Sequence, residues 1–192
     1  VPDASDTLTL ERSVGPANGG HGGLTKTGAG TLVLDAAAND YSGITALDGG
    51  TLEIASVQPV SATSGFAFDG GTLRVTSGIT LTAPVSLEAG GGTISVVNGS
   101  DDLVLQGAIT GTGGLIKTGP GQLRLHGQAA YGGSTDVATG TLEVFGPDGD
   151  PAASLNGTSS IRIEGDGTQT PLLHINGTQA GAAVTTPGAV TV

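Results

Sequence analysis

Few side chains in this 192-residue chain are able to do chemistry, and their spacing gives them little to do together. Metal sites gather several His, Cys, Asp or Glu donors at short, recognisable spacings. His21, His126 and His174 stand far apart, no His-x-x-x-His or His-Glu pair occurs, and cysteine is absent. A serine nucleophile on a Gly-x-Ser-x-Gly elbow is also missing, because Gly132-Gly133-Ser134-Thr135-Asp136 lacks the last glycine. Glycoside cleavage requires a pair of facing carboxylates. Asp101-Asp102 is the only adjacent acidic pair and reads as a solvated turn in a Gly-Ser loop. Asp148-Gly149-Asp150 and Gly165-Asp166-Gly167 offer oxygen ligands of the kind Ca2+ takes, but without the rest of a calcium loop, so turn formation explains them better. No catalytic, cofactor-binding or metal-ligating residue is assigned, and the chain is expected to be a non-enzyme without a cofactor.

Two kinds of residue recur in matched positions. Lys26 and Lys117 lie 91 residues apart, each opening a Lys-Thr-Gly-x-Gly stretch, and read as solvated turn residues. Tyr41 and Tyr131 follow them and read as plugs that fill a corner of the fold, since large aromatics are mostly buried. Thr7 to Thr9 and Thr80 to Thr82 both read Thr-Leu-Thr, which suggests an ice-binding face but does not recur on every unit.

The elements that position these residues follow from composition and period. There are 36 glycines, aromatics are 3%, and Met, Cys and Trp are absent, which leaves Leu, Val, Ile and Ala to build a thin aliphatic core. Glycine at this density disfavours helix, costing about 1 kcal/mol per interior position. The net charge of -11, with six Lys plus Arg, repels nucleic-acid phosphates and anionic lipid head groups. No stretch approaches the roughly 20 apolar residues of a membrane helix. Val1-Pro2-Asp3 lacks the basic and apolar start of a signal peptide, so an exported protein would be represented here by a processed or excised piece.

An apolar, variable, apolar triplet after a glycine-containing turn recurs along the chain. It appears as Leu32-Val33-Leu34, Leu52-Glu53-Ile54, Leu73-Arg74-Val75, Ile94-Ser95-Val96, Leu123-Arg124-Leu125, Leu142-Glu143-Val144 and Ile161-Arg162-Ile163. First positions are 20, 21, 21, 29, 19 and 19 residues apart, and Leu103-Val104-Leu105 falls inside the long gap. Residues two apart share a face of a strand, so each triplet presents its ends to a core and its middle to solvent. Further strands fit at Phe66-Ala67-Phe68, Ile79-Thr80-Leu81, Val85-Ser86-Leu87 and Thr135-Asp136-Val137. A period near 20 with short strands indicates a solenoid, since a propeller blade needs about twice that length. The expected fold is all-β, a right-handed single-stranded parallel β-helix of about 9 coils of 19–21 residues, filling 1–192 as one segment.

Two longer segments match in the order of their elements. Gly22-Gly23-Leu24-Thr25-Lys26-Thr27-Gly28-Ala29-Gly30-Thr31-Leu32-Val33-Leu34 leads to Tyr41-Ser42-Gly43 and Gly49-Gly50-Thr51-Leu52; Gly113-Gly114-Leu115-Ile116-Lys117-Thr118-Gly119-Pro120-Gly121-Gln122-Leu123-Arg124-Leu125 leads to Tyr131-Gly132-Gly133 and Thr139-Gly140-Thr141-Leu142. These segments, 22–54 and 113–144, resemble the autotransporter-associated β-strand repeat. The middle, 55–112, has no Gly-Gly-Leu-x-Lys start. The resemblance implies a β-helical passenger region of a secreted or cell-surface protein of a Gram-negative bacterium. It further implies a structural stem or adhesin segment that presents functional regions outside the cell and supports passenger folding and secretion. Implied partners are a C-terminal outer-membrane barrel in the full-length chain and an unidentified host-cell, matrix or self-association surface. Nucleic acid and direct membrane insertion are not expected. The alternatives are a polysaccharide-acting β-helix enzyme, which needs carboxylates converging in one groove, and a Ca2+-dependent binding module.

Two structural expectations complete the reading. Leu52, Leu73, Ile94, Leu123, Leu142 and Ile161 should be buried and stacked in columns. With one triplet per coil, Glu53 should face Arg74, and Arg124, Glu143 and Arg162 should form an outer charge ladder.

Overall fold

The computed structural model describes residues 3, 5–10, 22–35, 39, 41–145, 155, 157–163, 170–176, 184–185 and 190–191. Its strands are all parallel and form three walls of one solenoid. The long wall has nine strands, from Thr7–Leu10 through Thr31–Leu34, Thr51–Ile54, Thr72–Val75, Gly92–Val96, Leu115–Thr118, Thr135–Val137 and Ile161–Ile163 to Val184–Thr185. The second wall has six, starting with Ile79–Leu81, Asp102–Leu105, Gln122–Leu125 and Thr141–Phe145 and ending with Leu172–Asn176 and Val190–Thr191. The third wall has Leu24–Lys26, Thr45–Leu47, Phe66–Phe68, Val85–Leu87, Ile109–Gly111 and Ala129–Tyr131. The chain runs from third wall to long wall, adds the second wall from Ile79 onward, and turns in the right-handed sense that parallel crossovers take. A turn of 3-10 helix, Gln58–Val60, lies between the long-wall strand Thr51–Ile54 and the third-wall strand Phe66–Phe68.

Alternation puts the core where the apolar residues are. Triplet ends point inward and stack with their register partners, so Leu32, Leu52, Leu73 and Ile94 form one column on the long wall. Ile79, Leu103, Leu123, Leu142 and Leu173 form another on the second wall. The six residues expected to be buried are all at most 1% exposed. Each buried Leu or Ile contributes about 1.5–3 kcal/mol of transfer free energy, an upper estimate because the unfolded chain already hides some surface.

Two features of the expected architecture are corrected. The described residues make about six turns, four of them with a strand on every wall, against the nine coils expected, and only the long wall reaches nine rungs. The triplets do not share one wall. Those from Leu32 to Val96 belong to the long wall, those at Leu123 and Leu142 to the second, and Ile161–Ile163 to the long wall again. Coils are also longer and more variable than the triplet spacing: on the long wall, register partners are 20 residues apart at Thr31 and Thr51 but 26 at Asp136 and Arg162. Two walls built of similar triplets make a step between walls look like a full coil.

Candidate functional site

The two matched segments build the same pair of internal braces, and each begins with a lysine. In Leu24-Thr25-Lys26 and Leu115-Ile116-Lys117 the lysine has inward parity, and the structure buries both ammonium stems, leaving 3% and 0% of the residue exposed. Lys26 Nζ donates to the carbonyls of Thr27 at 2.8 Å, Gly28 at 2.7 Å and, across the rung, Gly49 at 3.1 Å. Lys117 Nζ repeats this with Thr118 at 2.7 Å, Gly119 at 2.7 Å and Thr139 at 3.2 Å. Three N–H donors meet three acceptors, which is how a buried ammonium avoids an unmet desolvation cost. Burial still pushes the amine down, for Lys117 to about 8 and for Lys26 in the same direction. Reading these lysines as solvated turn residues is therefore overturned; their strand parity was the available signal, with Ile116, 43% exposed, taking the outward place beside Lys117.

A glycine across the rung from each lysine makes the cage possible. Gly50 and Gly140 have φ of 62° and 74°, a region costly for residues with a Cβ. A Cβ there would also lie 2.5 Å from Lys26 Nζ or 2.8 Å from Lys117 Nζ. The glycines thus supply both the backbone conformation and the space for the amine.

The second brace is a chain of hydroxyls. Tyr41 and Tyr131 are buried plugs, as their type suggests. Tyr131 Oη lies 2.6 Å from Thr135 Oγ1, which lies 3.1 Å from Thr158 Oγ1, and Thr158 donates to the Gly133 carbonyl at 2.7 Å. Tyr41, Thr45 and Thr63 repeat the arrangement at 3.2 and 3.0 Å, with Thr63 Oγ1 3.0 Å from the Gly43 carbonyl oxygen. Thr45 and Thr135 are fully buried. Sequence reasoning missed the threonines, since buried Thr looks like any β-branched strand residue. Burial raises both phenols, and the threonine hydrogen bond partly opposes that shift.

Outward side chains pair between rungs. Arg74 bonds Glu53 on the long wall as expected. On the second wall Arg124 Nε lies 3.1 Å from Glu143 Oε2, while its Nη2 reaches Asp102 Oδ2 at 3.3 Å. Glu143 meets His174, not Arg162, on its far side, with His174 Nδ1 3.5 Å from Oε1. Arg162 stands opposite Asp136 on the long wall, so the expected Arg124, Glu143, Arg162 ladder is wrong. It failed because the step from Glu143 to Arg162 changes wall. Asp101 caps a turn by accepting from Asn98 Nδ2 at 2.8 Å. His126 packs on Phe145, ring centroids 4.7 Å apart. His21, Asp148 to Asp150 and Gly165 to Gly167 lie outside the described residues.

Among the described residues no three of His, Asp and Glu come together where a metal ion could sit, and no helix is long and apolar enough to cross a membrane. Carboxylates do line up at one corner, where Asp48, Asp69 and Glu88 each follow a third-wall strand in register. A shallow groove of about 330 Å³ reaches the last of these, bordered by Ile44, Ala67, Pro84, Glu88 and Thr110.

Comparison with known proteins agrees with the duplication. The family model described as passenger-associated-transport-repeat matches residues 24–54 and 115–144. The Neisserial autotransporter lipoprotein NalP of two Neisseria meningitidis serogroup B strains, MC58 and H44/76, is 38% identical over 82 residues, covering 43% of this chain. The aligned part is 6% of each relative, so the chain spans a small fraction of their length. No solved structure matches. The chain thus carries two passenger-associated-transport repeats on a right-handed parallel β-helix and, over less than half of its length, is similar to an autotransporter.

Proposed function

We propose that this chain is a non-catalytic stretch of stem from a longer passenger, one segment that holds functional regions away from the cell, supports passenger folding during secretion and offers its walls for adhesion. The observation that carries this reading is that both repeats, and the coils between them, belong to one continuous solenoid, braced internally by Lys26 and Lys117. Nine long-wall rungs at the spacing of hydrogen-bonded strands span about 40 Å, which suits a spacer. In the full-length protein a C-terminal outer-membrane barrel is the anchoring partner.

Surface display tests the stem role. A full-length protein lacking residues 22–145 in frame should show much less passenger accessible to added protease on intact cells than the parent. Equal display and equal protease resistance would overturn the stem role.

A further inference from the structure

On the long and second walls, outward carboxylates are matched across rungs, Glu53 by Arg74 and both Asp102 and Glu143 by Arg124. The third wall is built differently. Its outward column, Thr25, Ala46, Ala67, Ser86, Thr110 and Ala130, is small and uncharged through six register-paired rungs. Ile44, 53% exposed, and Pro84 border this floor on one side. Asp48, Asp69 and Glu88 form a rail of exposed carboxylates on the other. The ladder continues into the rail, since Asp69 N–H donates to Leu47 O at 2.9 Å and Glu88 N–H to Phe68 O at 2.8 Å. Like charges on successive rungs repel, and no cation is paired with any of the three among the described residues. Two of them are held in place nonetheless: Asp69 Oδ1 accepts from Gly90 N–H at 2.8 Å and Glu88 accepts from the Ser86 hydroxyl.

We propose that this groove is a docking surface for a basic, amphipathic polypeptide segment in extended conformation, its apolar side chains on the Ile44 and Pro84 border and its Lys or Arg side chains on the rail. This deepens the adhesive part of the function proposed above by naming the partner's chemistry. Charge complementarity chooses the occupant. A second copy of this chain carries a net charge of -11 and is repelled, as is an anionic lipid surface. A purely cationic polymer would leave the apolar border unused.

The test uses the purified chain and a synthetic peptide alternating Lys and Leu, with oligolysine of equal charge as comparator, in calorimetric or fluorescence titrations. The Lys-Leu peptide should bind at least about tenfold more tightly than oligolysine. The variant D48N/D69N/E88Q keeps the acceptor oxygens that Gly90 and Ser86 use, so it should melt near the parent temperature yet lose affinity about tenfold. Neutralising three exposed carboxylates elsewhere, D3N/D6N/D35N, should change it less than about threefold. Equal losses in the two triple variants would mean diffuse attraction to net charge and overturn the proposal. Equal binding of oligolysine, or no binding of the Lys-Leu peptide, would overturn it as well. Because the stem role is read from display on cells and this site from binding in solution, either can fail alone.

Discussion

Arg124 is shared between two rungs at once, its Nε 3.1 Å from Glu143 on one side while its Nη2 meets Asp102 on the other. The Nε–H is not aligned for a hydrogen bond, so the contact with Glu143 is an ion pair. At 36% exposure the guanidinium side chain is partly screened by solvent, which holds each pair to about 0–1 kcal/mol. Arg124→Ala should therefore lower stability by no more than about 1–2 kcal/mol, with the loss shrinking in high salt. Urea titrations at low and high ionic strength measure it.

A much larger loss is expected inside the coil. Leu73 is 1% exposed and stacked between Leu52 and Ile94. Leu73→Ala should cost about 2–5 kcal/mol by opening a cavity, and Leu73→Asp more by burying an unpaired charge. A Leu73→Asp variant that melts with the parent would contradict the register described for the long wall.

Lys117 makes stability depend on alkaline pH. Its amine titrates near 8 when folded and at 10.5 unperturbed, so between those values the unfolded chain holds a proton the folded one has released. Stability then rises with pH across that window, by about 1–3 kcal/mol. The raised phenols of Tyr41 and Tyr131 act oppositely above pH 10, where the unfolded chain ionises first and stability falls. Unfolding free energy should peak near pH 10, and Lys117→Met should flatten the rising limb. A parent curve flat from pH 8 to 10 would contradict the buried amine.

Glycine replacements separate conformation from space. Gly70, with φ of 93° and nothing within 4 Å of an added Cβ, should accept alanine for about 1–2 kcal/mol. Gly140→Ala adds a collision with Lys117 Nζ and with the carbonyl oxygens of Gly119 and Gly121, and should cost clearly more. Thermal melts of the two variants side by side give the difference.

The hydroxyl brace predicts coupling. Thr135→Val strands the buried Tyr131 hydroxyl and should cost about 1–3 kcal/mol. Adding Tyr131→Phe removes the stranded group, so the double variant should lose less than the sum of the single losses. Additive losses would mean that the two hydroxyls do not depend on each other.

Strand positions were legible in the sequence wherever inward and outward residues alternated. Phe66–Phe68, Ile79–Leu81, Val85–Leu87 and Thr135–Val137 form as their alternation predicts. What alternation could not supply was the wall on which each strand falls, because Leu73-Arg74-Val75 and Leu123-Arg124-Leu125 have the same inward and outward pattern on different walls. The braces were hidden by habit of residue type. Lysine is rarely buried unless its charge is met, and the carbonyls that meet it come from corner backbone, which carries no side-chain signature.

The step between walls has a consequence for how such a rod can grow. Leu24–Lys26 lies on the third wall and its counterpart Leu115–Thr118 on the long wall, four full turns and one further wall along. The braces therefore work at either of two corners, and the motif has no fixed compass bearing. Chain inserted after Leu34 leaves from the long wall, whereas chain inserted after its equivalent, Leu125, leaves from the second. On a three-sided coil those exits differ by about a third of a circle. A gene that lengthens by copying this unit would scatter its appendages around the shaft instead of aligning them down one side.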